Sequence, residues 1–180
     1  MMPNLPVCRI RRADVNDFTA VRVFYNQLID DMVNLPYHPM WDKEGHPSDA
    51  YLRSAIEGGE LLLAECGTEI AGAVIVNHAA NEGYRSVSWK VDAAEGEFSI
   101  IHAFGVSTRF QGRGIGSCMM RYIIDHARAA GEKALRLDVI DFNRPVEKMY
   151  HKAGFYKCGE IELYYPEVDW QLFHMYELAL

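Results

Sequence analysis

At 180 residues with 49% hydrophobic side chains, the chain is long enough to bury a core and holds no charge-poor run of membrane-spanning length. Its formal net charge of -7, with no block of lysines or arginines, speaks against a nucleic-acid partner, because phosphate backbones need a dense basic face. One soluble domain over residues 1–180 is expected, without a membrane partner, and any anionic ligand has to be held by local backbone donors rather than by an overall positive field.

The first six residues, MMPNLP, have neither the positive end nor the apolar stretch of a signal peptide, so export is not expected. Cys8, Cys66, Cys118 and Cys158 are widely spaced and form no CxxC pair or Cys/His cluster. That spacing predicts no disulfide framework and no zinc or other metal site; it predicts small core thiols in a reducing cytoplasm.

Val7 to Arg12 reads as a first strand. Asp14 then supplies an N-cap for a helix running to Val33, in which Val21, Phe24, Tyr25, Leu28 and Met32 recur at helical spacing. Prolines and a glycine make 34–47 a loop, yet it carries Tyr37, His38 and Trp41, rings that either plug the core or cover a substrate. Ser48 caps a short helix to about Ile56, closed by Gly58-Gly59, and the apolar runs Glu60 to Cys66 and Glu69 to Asn77 read as a hairpin through Gly67-Thr68. Tyr84 to Val91 alternates enough to predict a short strand between turn-like residues.

From Ser99 an apolar strand runs into Gln111-Gly112-Arg113-Gly114-Ile115-Gly116, which opens directly into a helix from Ile115 to Ala130, stopped by Gly131. Strand, glycine turn and helix make a phosphate cradle, since glycines let the backbone approach an anion and first-turn N–H groups are free to bind it. Ala134 to Ile140 is the next strand, and Asn143 caps a helix that has Pro145 in its first turn, carries Met149 and Tyr150, and ends at Gly154. Phe155 to Tyr165 and Trp170 to Leu178 close the chain as an antiparallel pair, whose exposed edge makes a homodimer plausible. The order predicts an α/β (α+β) fold, a mixed sheet covered by helices.

Three cradles compete. A nucleoside-triphosphate loop needs GxxxxGK followed by Ser or Thr, and the lysine and spacing are missing. A dinucleotide fold would place its third glycine at Ser117 and its ribose-binding acid at Asp138, but too little chain follows to finish a doubly wound sheet. The third is the pyrophosphate loop of acetyl-coenzyme A: residues 99–155 resemble the GNAT superfamily of N-acetyltransferases, with Gln111-x-x-Gly114-x-Gly116 matching its loop. Asn143, Met149-Tyr150 and Gly154-Phe155, led by LRLDV, match its second block. The resemblance implies a mostly antiparallel, twisted sheet splayed between two central strands, with the pantetheine arm of acetyl-CoA in the gap.

The resemblance also implies site residues. Phe104, Gly105 and Val106 would pair through their backbone with pantetheine, while Gln111, Gly112, Arg113, Gly114, Ile115, Gly116 and Ser117 would bind the pyrophosphate and Asn143 would touch the cofactor. Transfer to an amine then needs a neutral amine, a stabilised oxyanion and a protonated leaving thiolate. Tyr150 is the expected general acid. Some family members carry a glutamate where this chain has Ile100, so the base is sought at His102, on the same strand face by alternation, or at Glu97 through water. Cys118, at the helix start, is a minor alternative as a nucleophile. The acceptor, a small-molecule or protein amine, would lie under Tyr37, His38 and Trp41 and near Tyr164 or Tyr165. Two other functions stay open: an acyl-CoA sensor without catalysis, suggested by Ile100, and a nicotinamide-dependent oxidoreductase.

Overall fold

The structure, a computed structural model, describes residues 8–141 and 143–180. Val7, the expected start of the first strand, and residues 1–6 lie outside the described residues. The strands are Cys8–Arg12 (β1), Leu61–Cys66 (β2), Glu69–Asn77 (β3), Phe98–Val106 (β4), Ala134–Ile140 (β5), Tyr156–Tyr165 (β6) and Asp169–Ala179 (β7). They form one sheet in the order β1-β2-β3-β4-β5-β7-β6, in which β4 and β5 run parallel and the other neighbours antiparallel. That is the mixed, mostly antiparallel sheet expected, and it leaves no doubly wound half to hold a dinucleotide.

Among the described residues four α-helices cover it: Phe18–Met32 (α1), Asp49–Glu57 (α2), Ile115–Ala129 (α3) and Arg144–Ala153 (α4). Strand alternation sends Leu62, Val74, Ile101, Leu135 and Leu137 to one face, against Met119, Met120 and Ile123 of α3 and Tyr150 of α4. Leu61, Leu63, Ala73 and Ile75 go to the other, against Val21, Phe24, Tyr25 and Leu28 of α1 and Leu52 and Ile56 of α2. Each such large apolar side chain contributes about 1.5–3 kcal/mol by leaving water. Asp14 caps as expected, but what it caps is a 3-10 turn over Val15–Asp17, and α1 proper starts at Phe18. The turn is held there because the Asp17 carboxylate is drawn back to Arg11, at 2.6 Å, and to the Asp14 N–H, at 2.8 Å.

Two expectations are corrected. Tyr84 to Val91 is not a strand: its backbone is satisfied by turns, with Gly83 N–H donating to Asn81 Oδ1 and Trp89 Nε1 to the Tyr84 carbonyl. Its anchor is non-local. The buried Glu177 carboxylate accepts from the N–H groups of Lys90 and Val91, at 2.9 and 3.0 Å, and from Arg136 Nε at 2.9 Å. Second, Cys8 and Cys66 are directly opposed in the β1–β2 register, with Cα atoms 4.6 Å apart, and form a disulfide. Antiparallel pairing brings together cysteines whose sequence separation of 58 hides the contact. Cys118 is not a core residue either; it is exposed on α3.

The central pair is what positions a site. β4 and β5 are paired only from Phe98–Ile100 against Ala134–Arg136. Beyond that, β4 carries a bulge: it advances from His102 to Gly105 while β3 steps back only from Ile75 to Ala73, and Ala103 sits at φ 47. The Tyr25 hydroxyl donates to the Ala103 carbonyl at 2.7 Å and holds the kink. His102 and Ala103 therefore face α1, and Phe104 turns toward α3.

Candidate functional site

The gap between β4 and β5 opens into a cavity of about 900 Å³. Its walls take Ile101, Val139 and Tyr150 from the α3/α4 face of the sheet and His102, Ala103 and Ile140 from the α1/α2 face, so it runs through the sheet.

On the α3 side lies the glycine turn. Gly112 and Gly114 have φ of 74 and 81, the left-handed region, and a side chain at Gly112 would meet nothing within 4 Å. Backbone conformation, not crowding, is what requires glycine there. Gly114 is the N-cap of α3 and no side chain caps it, so the first-turn N–H groups of Ile115, Gly116 and Ser117 are available to an anion. Gln111, Gly112, Gly114, Ile115, Gly116 and Ser117 line the cavity, followed by Phe104, Gly105, Val106 and Asn143. Asn143 stands at the N-cap position of α4 without a capping hydrogen bond, which leaves its side chain on the wall. Arg113 is not on that wall; it is exposed, its guanidinium 5.6 Å from the Phe110 ring. These residues suit acetyl-CoA on two counts: uncapped amides over left-handed glycines for the diphosphate, and a β5-facing edge of β4 that is unpaired beyond Ile100, while the other edge stays paired with β3, for an extended arm.

On the α1 side, Tyr37, His38, Trp41 and Tyr165 line the cavity. Trp41 packs edge-on to Tyr25, centroids 5.8 Å apart, and 6.3 Å from the His46 ring. Tyr164 does not belong to it: alternation along β6 turns it outward, 5.7 Å from the Trp170 ring.

The expected bases fare differently. Glu97 is outside the cavity, half-buried just before β4, where Lys133 Nζ lies 2.6 Å away and, with the Ala94 N–H, keeps its carboxyl below the usual range. His102 is on the wall, its Nε2 3.0 Å from Asn77 Oδ1. Burial, reinforced by the neighbouring His46, pushes its pKa down to about 4, so it is neutral at pH 7 and a weak base. Cys118 is exposed and does not line the cavity.

Sequence reasoning missed the carboxylates that the cavity does contain, Asp138 and Glu167. Asp138 of β5 lines it, its Oδ2 accepting from the Tyr84 hydroxyl at 2.7 Å and the Tyr165 hydroxyl at 2.9 Å. Burial raises its pKa, against those two hydrogen bonds. The signal was present in ALRLDVI, where polar residues alternate in an otherwise buried strand. Tyr150 enters from the opposite face, buried and packed on Phe155 and Tyr176 at 5.7 and 6.4 Å. Burial first, then the Asp138 charge, raise its pKa and keep the phenol protonated.

Residues 26–155 match the model of the acetyltransferase (GNAT) family. A stretch of 77 residues is 34% identical to streptothricin acetyltransferase from Streptomyces lavendulae, covering 43% of this chain and 39% of that protein, so the match spans about two fifths of the curated relative's length. A GNAT-family acetyltransferase from Streptococcus agalactiae has the same fold, with a TM-score of 0.77 at 16% identity over 96% of this chain and 95% of that one. An acetyltransferase from Salmonella typhimurium, solved with its cofactor acetyl-CoA, gives 0.67 at 18% identity over 96% and 94%.

Proposed function

The chain belongs to the GNAT family of acetyltransferases, and from that premise we propose that it moves the acetyl group of acetyl-CoA directly to a primary amine in the cavity between β4 and β5, with residues 1–180 acting as one domain. The observation that carries this is a carboxylate and a phenol, Asp138 and Tyr150, reaching one cavity from opposite faces of the sheet. Gly112, Gly114 and the amides of Ile115 to Ser117 would hold the diphosphate, and the β5-facing edge of β4 from Phe104 to Val106, which β5 does not pair, the extended arm. When bound, acetyl-CoA supplies the activated acyl group.

The chain's own residues manage protons. An alkylamine arrives as its ammonium, with a pKa near ~10, and has to lose a proton before it can attack. Asp138 takes that proton, because an incoming positive charge favours the ionised carboxylate and the Tyr84 and Tyr165 hydroxyls hold it in place. His102, neutral and bonded to Asn77, orients the amine. Tyr150 then donates its proton to the departing sulfur. Since part of its raised pKa comes from the Asp138 charge, protonation of Asp138 makes Tyr150 the stronger acid when a proton is needed.

Asp138 also answers the argument for a non-catalytic sensor, which rested on the lack of a carboxylate at Ile100. Acetylation assays on an amine library, with streptothricin as the first acceptor, test the reading. Asp138→Asn and Tyr150→Phe are each expected to lower kcat about 10²–10⁴-fold. An Asp138→Asn enzyme with kcat within threefold of the unaltered protein would remove Asp138 from the chemistry.

A further inference from the structure

Resting on the acetyltransferase reading, we propose that the preferred acceptor is a diamine or larger polycation whose reacting amine lies at Asp138 while a second positive charge is held by Glu167 at the cavity rim. The acceptor half of the cavity carries two carboxylates, Asp138 and Glu167, and no lysine or arginine among the described residues; Lys152 of α4 belongs to the donor side. His46 and His102 are both shifted toward the neutral form by burial. One ammonium compensates one carboxylate, so a monoamine leaves a negative charge facing a partly enclosed space where a second cation is attracted.

The two carboxylates are also differently equipped. Asp138 is half-buried and already receives two tyrosine hydroxyls, the setting of a group that acts on a proton. Glu167 lies in the turn between β6 and β7, exposed to solvent, with no hydrogen bond or ion pair among the described residues, and close enough to His46 to oppose the effect of burial there. It is free to receive a ligand's charge. The rings of Trp41 and Tyr165 line the same cavity and supply aromatic surface for a methylene chain and for a cation. This arrangement selects for length: only an acceptor whose two amines span from the interior to the rim gains from both.

Calorimetric titration of the protein without acetyl donor, using propylamine, butylamine and pentylamine against the terminal diamines of the same lengths, tests the proposal. For at least one length the diamine is expected to bind roughly two- to fivefold more tightly, the size of one solvent-screened ion pair, and the advantage is expected to shrink as salt is raised. Glu167→Gln should bring the ratio close to one, and Glu167→Lys should invert it. Equal affinities at every length, no detectable binding of either amine, or an advantage that survives Glu167→Gln would each overturn it. Acetyl transfer measured on the same amines keeps the two readings apart: a diamine advantage in binding without any acetylated product supports the recognition and sinks the transferase reading alone.

Discussion

At the scale of the residue, Asp138 sets a cost against a function. Its pKa in the folded chain is raised, so between the ordinary aspartate value near ~3.9 and the native value the folded state binds more protons than the unfolded one. Stability therefore falls as pH rises through that window, and above it the ionised carboxylate is a net burden on the fold. Asp138→Asn keeps an oxygen acceptor for the Tyr84 and Tyr165 hydroxyls and removes the charge. We expect its melting temperature at pH 7 to be equal to or above that of the unaltered protein, while kcat collapses. The pH profile of kcat/KM, which reports the unliganded protein, should rise through a pKa raised above the ordinary aspartate value and lose that limb in the Asn variant. Tyr150 adds no falling limb, since burial keeps its phenol protonated well past neutrality. A melting temperature lowered by many degrees in Asp138→Asn would instead mark the residue as structural.

At the scale of the element, the site depends on two backbone features and one buried ion pair. A side chain at Gly105, beyond the β4 bulge, would run into Leu28 Cδ2 and lie 3.5 Å from the Trp41 ring. Gly105→Ala should push α1 and the aromatic loop outward, costing about 1–3 kcal/mol in stability and raising KM for the acceptor more than for acetyl-CoA, as steady-state kinetics with each substrate varied would report. Arg136 and Glu177 lock the 82–91 segment, and with it Tyr84, onto the sheet, the guanidinium lying 4.5 Å from the Trp89 ring and 4.0 Å from the Phe98 ring. Glu177→Ala leaves that guanidinium buried without its carboxylate; urea unfolding should show a loss of about 3–5 kcal/mol. These features also mark how far sequence could reach. Helical spacing in α1 and α3, the Ser48 cap and the glycine stops are local, and they place the elements within a few residues. The glycine cradle, Asn143 and Tyr150 are local motifs too. The Cys8–Cys66 bond, the turns at Tyr84 and the placement of Asp138 and Glu167 on one cavity depend on strand register and chain crossing, which periodicity does not encode.

At the scale of the whole molecule, the proposed function asks a chain of net charge -7 to bind a polyanionic donor and a cationic acceptor in one cavity. Its overall field favours the acceptor and opposes the donor, so donor affinity has to come from the amides at the start of α3, at short range. Salt screens the long-range field more than the short-range contacts. Raising ionic strength should therefore weaken binding of an amine acceptor and leave acetyl-CoA binding unchanged or slightly stronger, a difference in sign between two ligands of one site. Thermal melting reads both. At a concentration about 100 times the dissociation constant, a ligand adds roughly 2.7 kcal/mol, worth about 5–10 °C for a domain of this size. Acetyl-CoA and free CoA should give shifts of that order that persist in salt, an amine acceptor a shift that fades, and NADH none, because the mixed sheet with its single parallel pair has no dinucleotide crevice. A shift with NADH alone would overturn the assignment of the cradle, and acetyl-CoA binding that weakens steeply with salt would mean that side-chain cations such as Arg113 or Lys152, and not the helix amides, hold the diphosphate.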